Sequence, residues 1–136
     1  IVLNPKRSDR VGPQTIVDAP AEHAADGTPV VVSADGFAVT GWAADFSSTF
    51  DNGVDVVHVW AYRIDGGTSN PVFIGPAIVD GSRPDVAAIY GERFGRSGYG
   101  ITVTGLAPGT YDIAVFPFST VVHDFTPPKV VRVRIR

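Results

Sequence analysis

Three histidines, His23, His58 and His123, fall in an N-terminal connection, a strand-like run and a late loop. None of the pairs has the i,i+4 helical spacing or the ligand spacing of a zinc motif, so no metal centre is expected. Carboxylates are more numerous. Asp45, Asp51, Asp55 and Asp65 flank the central runs, and Asp80 and Asp85 flank a later turn. A calcium ion needs about six to eight converging oxygens. The stretch Asp51-Asn52-Gly53-Val54-Asp55 has oxygens at useful spacing without EF-hand order, and turn formation accounts for it. Asp85 and Glu92 make a conceivable glycosidase pair, yet nothing places them across a cleft of about 5–10 Å. Gly95-Arg96-Ser97-Gly98-Tyr99 misses the nucleophile elbow because its second glycine comes one position early. There is no phosphate loop, no dinucleotide fingerprint and no cysteine. The expectation is therefore no catalytic residue, no metal, no cofactor and no enzymatic activity.

Aromatic residues offer a different chemistry. In the run Val54–Ile64 one face carries Val57, Val59 and Ala61, and the other carries His58, Trp60 and Tyr62. In Thr110–Ser119 one face has Tyr111, Ile113, Val115 and Pro117, and the other has Asp112, Ala114, Phe116 and Phe118. If the two runs are neighbouring strands, His58, Trp60, Tyr62, Phe116 and Phe118 form one aromatic surface. Flat aromatic platforms stack on sugar rings, and large apolar patches on soluble domains mark interaction sites. These five are the candidate ligand-binding residues. The opposing expectation is that Ser82–Tyr99, which carries Ile89, Tyr90, Phe94 and Tyr99, folds over this face and buries it. Arg83 is read as a tie that pins this connection through Asp85 and Glu92. Arg132, Arg134 and Arg136 read as a solvated strand face, or as partners of an acidic neighbouring domain.

The elements that must hold these residues are short and β-rich. The runs are Gln14–Asp18, Pro29–Ser33, Gly36–Ala44, Val54–Ile64, Val72–Val79, Gly100–Gly105, Thr110–Ser119 and Val130–Arg136. Turn formers separate them, among them Ala34-Asp35-Gly36, Asp51-Asn52-Gly53, Asp65-Gly66-Gly67, Asp80-Gly81 and Ala107-Pro108-Gly109. Period-two alternation puts aliphatic side chains on one face of three runs, most clearly Val131, Val133 and Ile135 against the arginines between them. One helical turn is expected near 84–91, with Ser82 and Asp85 as a capping box, Pro84 in the first turn and Gly91 as the stop. Leu106-Ala107-Pro108-Gly109-Thr110-Tyr111 matches the tyrosine corner of Greek-key sandwiches. The fold class is thus all-β, an immunoglobulin or fibronectin-III-like Greek-key sandwich of about seven or eight strands.

Composition limits the partners. A chain of 136 residues, 44% hydrophobic and 18% charged, is long enough for one domain with a real core. A net charge of −3 with scattered basic residues argues against nucleic acid. No apolar run approaches the roughly 20 residues of a membrane-spanning helix, so no membrane insertion is expected. Residues 1–13 mix charge and turn formers and read as a linker or arm, leaving 14–136 as the domain. Without an initiating Met or signal peptide, the chain reads as a piece of a longer protein.

Four short motifs occur in order: Gly41-Trp42-Ala43, Gly53-Val54-Asp55-Val56-Val57-His58-Val59, Ser82-Arg83-Pro84-Asp85-Val86 and Ser97-Gly98-Tyr99. In this joint order the chain resembles a bacterial Ig-like accessory domain over roughly residues 14–136. The resemblance implies a secreted or cell-surface protein and a non-enzymatic role, and carries over no binding residues. It implies a spacer or protein-interaction module whose partners are neighbouring domains or another protein. The alternative is a carbohydrate-binding module that holds polysaccharide on the outer aromatic face.

Overall fold

The computed structural model describes residues 11–67 and 70–136. The strands are β1 (Pro13–Ala19), β2 (Val30–Val32), β3 (Phe37–Asp45), β4 (Val54–Arg63), β5 (Val72–Ile78), β6 (Gly98–Val103), β7 (Gly109–Ser119), β8 (Asp124–Phe125) and β9 (Lys129–Ile135). Between β5 and β6 lie the helix α1 (Pro84–Tyr90) and one 3-10 turn (Glu92–Phe94). Of the expected arm over 1–13, residues 1–10 lie outside the described residues, and Pro13 already pairs with Asp45 as the first residue of β1.

Two sheets form. One has the order β1-β3-β6, and the other β2-β9-β7-β4-β5 with β8 added beside β7. All pairings are antiparallel except β2 with β9. The chain leaves the first sheet after β1 and joins the second through β2, the strand exchange of an immunoglobulin-like sandwich. The aliphatic faces meet between the sheets as the alternation requires. Val57, Val59, Ala61, Val115 and Val133 are fully buried, and Ile113, Val131 and Ile135 nearly so. The Tyr111 hydroxyl donates to the Ala107 carbonyl at 2.9 Å, closing the tyrosine corner. Tyr111→Phe removes this bond from a half-buried carbonyl, so we expect a loss of about 1–2 kcal/mol in a denaturant titration, with the slope unchanged.

Three local expectations need correction. The Ser82–Asp85 capping box does not form: the residue capping α1 is Arg83, without a side-chain cap bond. Asp85 is drawn instead to the Arg83 guanidinium, which meets both of its carboxylate oxygens at 3.0 and 2.8 Å. The second correction is β8, a strand too short for any alternation to reveal. The third concerns the connection 82–99, which does not cover the aromatic face of β4 and β7. Val86 and Phe94 pack with Trp42 and Ala44 on the outer side of the three-stranded sheet, joined by Ile16, Phe46 and Tyr90. Trp42 lies 5.7 Å from Tyr90 and Phe46 lies 5.0 Å from Phe94, centre to centre. A tryptophan facing outward from β3 needs cover, and this segment supplies it.

Candidate functional site

The six-stranded sheet turns its outer face to solvent, and the register of its strands assembles the candidate residues there. His58 pairs with Phe116, Val56 with Phe118, Trp60 with Ala114 and Tyr62 with Asp112 across β4 and β7. Directly paired residues share a face, so His58, Trp60, Tyr62, Phe116 and Phe118 do lie together. All five are partly buried by one another and remain open to solvent. Four of them, with Phe125, line a trough of about 410 Å³. Phe118 is the exception: it supports Phe125 from behind, with ring centres 5.1 Å apart.

Two ring contributors were not foreseen. Phe73 stands beside Trp60 and His58 at 5.0 Å from each ring. A bulge in the β4–β5 ladder between Val59 and Trp60 shifts the register and sets Phe73 opposite Trp60. A bulge reverses the parity of alternation, so reading by twos could not place Phe73. Phe125 sits in β8 and lies 4.4 Å from His58. Its signal is absent from the sequence because two residues have no period.

The rings are tilted against one another by 46–56° around His58 and by 49° between Trp60 and Phe73. They form the walls of a trough, not the flat platform expected. Carbon dominates the lining, with the Tyr62 hydroxyl and the His58 ring nitrogens as polar groups. Next to Tyr62, Asp112 accepts both arms of Arg132 at 2.8 and 3.2 Å. Arg132 is thus held against a strand neighbour and is not a freely solvated charge.

The remaining candidates have structural partners. Arg83 forks onto Asp85 within its own turn and ties α1 to β1 through Asp18 at 2.8 Å, while Glu92 takes no part. This cation holds the Asp85 carboxyl down at about 2. Asp51 accepts the Gly53 N–H at 2.9 Å and Asn52 accepts the Val54 N–H at 2.9 Å, the side-chain bonds of a turn. Asp45, which the sequence marks only as a flanking carboxylate, is buried. It accepts the Ser119 hydroxyl at 2.6 Å and the Ser47 N–H at 2.9 Å. Burial satisfied by two donors makes it a tie between the sheets. Among the described residues no three histidine or acidic side chains converge on one point.

The two sheets and the tyrosine corner define the chain as an immunoglobulin-like β-sandwich. No protein-family model matches it, and no curated protein matches its sequence. It is similar to a solved structure of an LPMO from Kitasatospora papulosa, with 17% identity and a TM-score of 0.44. The match covers 81% of this chain and 52% of that one, so the chain spans about half the length of the protein it matches. That match corrects one expectation from the sequence: the exclusion of enzymatic activity is withdrawn, because the matched protein is an enzyme. Similarity at this level transfers neither a reaction nor any residue. No helix among the described residues is long and apolar enough to cross a membrane.

Proposed function

We propose that the chain is an Ig-like accessory module of an extracytoplasmic bacterial protein and that it holds a polysaccharide chain in the outer aromatic trough. The observation that carries this reading is that the connection 82–99 packs on the opposite sheet and leaves the trough open. Sugar rings present C–H faces to aromatic walls, and their hydroxyls need a few polar partners. Trp60, Phe116 and Phe125 supply walls, and Tyr62 and His58 supply polar groups. A spacer has no use for an open aromatic trough. A protein partner is the second reading, and it is favoured by Ile78, which is 70% exposed on the same sheet beside Val56, and by Val130 at 45%.

Pull-down on a panel of insoluble polysaccharides, comparing the wild-type chain with Trp60→Ala, tests the reading. Removing the indole deletes about 1.5–3 kcal/mol of apolar contact, so retention should fall tenfold or more while the melting temperature changes little. Retention that is equal in both proteins, or absent for the wild type on every polymer, overturns it. In the second case, protection of Trp60 from acrylamide quenching by a tethered neighbouring domain would establish the protein partner instead.

A further inference from the structure

The aromatic trough continues into a row of cations. Val131, Val133 and Ile135 of β9 point into the core at 2%, 0% and 2% exposure. Arg132 and Arg134 of β9 therefore point the other way, onto the same outer face as Trp60 and Tyr62, and Arg136 follows directly after the strand with its N–H bonded to the Val32 carbonyl at 3.1 Å. Register places them closely. Arg132 pairs with Asp112, which pairs with Tyr62, so one row crosses β9, β7 and β4. With strands about 4.8 Å apart, Arg132 and Tyr62 have backbones about 10 Å from each other, and Arg134 lies one row, about 7 Å, further along.

Three like charges at every second position, two in β9 and one just past its end, repel one another. Only Arg132 is compensated, through the Asp112 fork, which holds it against the strand that separates it from Tyr62. Arg134 and Arg136 are exposed and have no acidic partner among the described residues. Guarding a sheet edge does not explain them, because β2 pairs with β9 over Val133–Ile135 and β9 is there an interior strand. The chain as a whole carries a net charge of −3, so this concentration of cations is local.

We propose that the ligand of the trough is an anionic polysaccharide whose ring carboxylates are read by Arg134 and Arg136, with Arg132 orienting the chain between them and Tyr62. This rests on the polysaccharide reading and names the class of polymer. One sugar residue seats against Trp60, and the chain runs across the sheet face, placing carboxylates within reach of guanidinium groups that form bidentate pairs with them.

Polygalacturonate and its fully methyl-esterified form share one backbone and differ only at the carboxyl group, charged in one and a neutral methyl ester in the other, so they test whether the charge is read. Affinity electrophoresis of the wild-type chain should show the acid form bound about tenfold or more tightly than the ester, with a preference that shrinks as salt rises. In the double variant Arg134→Gln, Arg136→Gln the preference should close to about twofold, with the melting curve as the folding control. Trp60→Ala should weaken binding to both polymers. Equal wild-type binding to acid and ester overturns the inference, as does a double variant that keeps the preference. Binding of polyglutamate that is as tight as polygalacturonate and indifferent to Trp60→Ala also overturns it, since charge alone would then suffice. Trp60-dependent retention on neutral polymers without an acid preference defeats this inference and leaves the broader polysaccharide reading standing. Failure to bind any polymer defeats both.

Discussion

Gly41→Ala is expected to destabilise the domain by about 3–5 kcal/mol, enough to leave it largely unfolded under mild denaturant. A Cβ at Gly41 would stand 1.9 Å from the Ile16 carbonyl oxygen and 2.8 Å from the Tyr99 hydroxyl. The first contact is with backbone, and no rotamer change can relieve it. The close approach has a purpose: the Tyr99 hydroxyl, from β6, reaches over β3 to donate to Ile16 of β1 at 2.9 Å. Three strands are laced by this bond, and burial pushes the Tyr99 phenol well above its usual range, so it stays a donor. Alanine would push β1 off β3 and break the lacing. Gly100→Ala is the control within the same sheet, because its Cβ would meet only a Thr40 methyl at 3.5 Å, an ordinary contact. Urea titrations of the two variants should differ by several kcal/mol, whereas a Gly41→Ala protein within about 1 kcal/mol of wild type would show that the lacing is dispensable.

Phe94→Ala should cost about 3–4 kcal/mol, and the damage should be confined to one side of the sandwich. Phe94 is 1% exposed, faces Phe46 at 5.0 Å and carries the Arg93 guanidinium at 4.4 Å from its ring centre. Its loss opens a cavity beneath α1 beside Trp42. The two tryptophans lie on opposite sheets, so each reports on one side. In a Trp60→Phe background the Trp42 emission should shift to the red and quench more readily. In a Trp42→Phe background Trp60 should be unmoved, and at temperatures where the variant is folded its trough-dependent retention should match wild type. A Trp60 response to Phe94→Ala would mean that the connection 82–99 packs on the six-stranded sheet and not on the three-stranded one.

The sequence alone determined the inner faces of β4, β7 and β9, because each strand is covered on one side only and period two survives there. It determined the tyrosine corner and the helix Pro84–Tyr90, since both follow from residues close in the chain. It also put His58, Trp60, Tyr62, Phe116 and Phe118 on one face, because β4 and β7 pair without interruption from Val56 to Arg63. Tertiary structure decided the rest. From Gly41 to Asp45 every residue of β3 is buried, so alternation vanishes and Trp42 gives no sign that it needs a cover. Local propensity makes α1, but which sheet it lies on depends on the long-range match between Phe94, Tyr90 and Trp42. The bulge that turns Phe73 to the trough and the pairing that lends it Phe125 are likewise contacts between distant segments. A strand's own pattern states which of its sides is apolar; what comes to rest against that side is set by every other segment competing for the same surface.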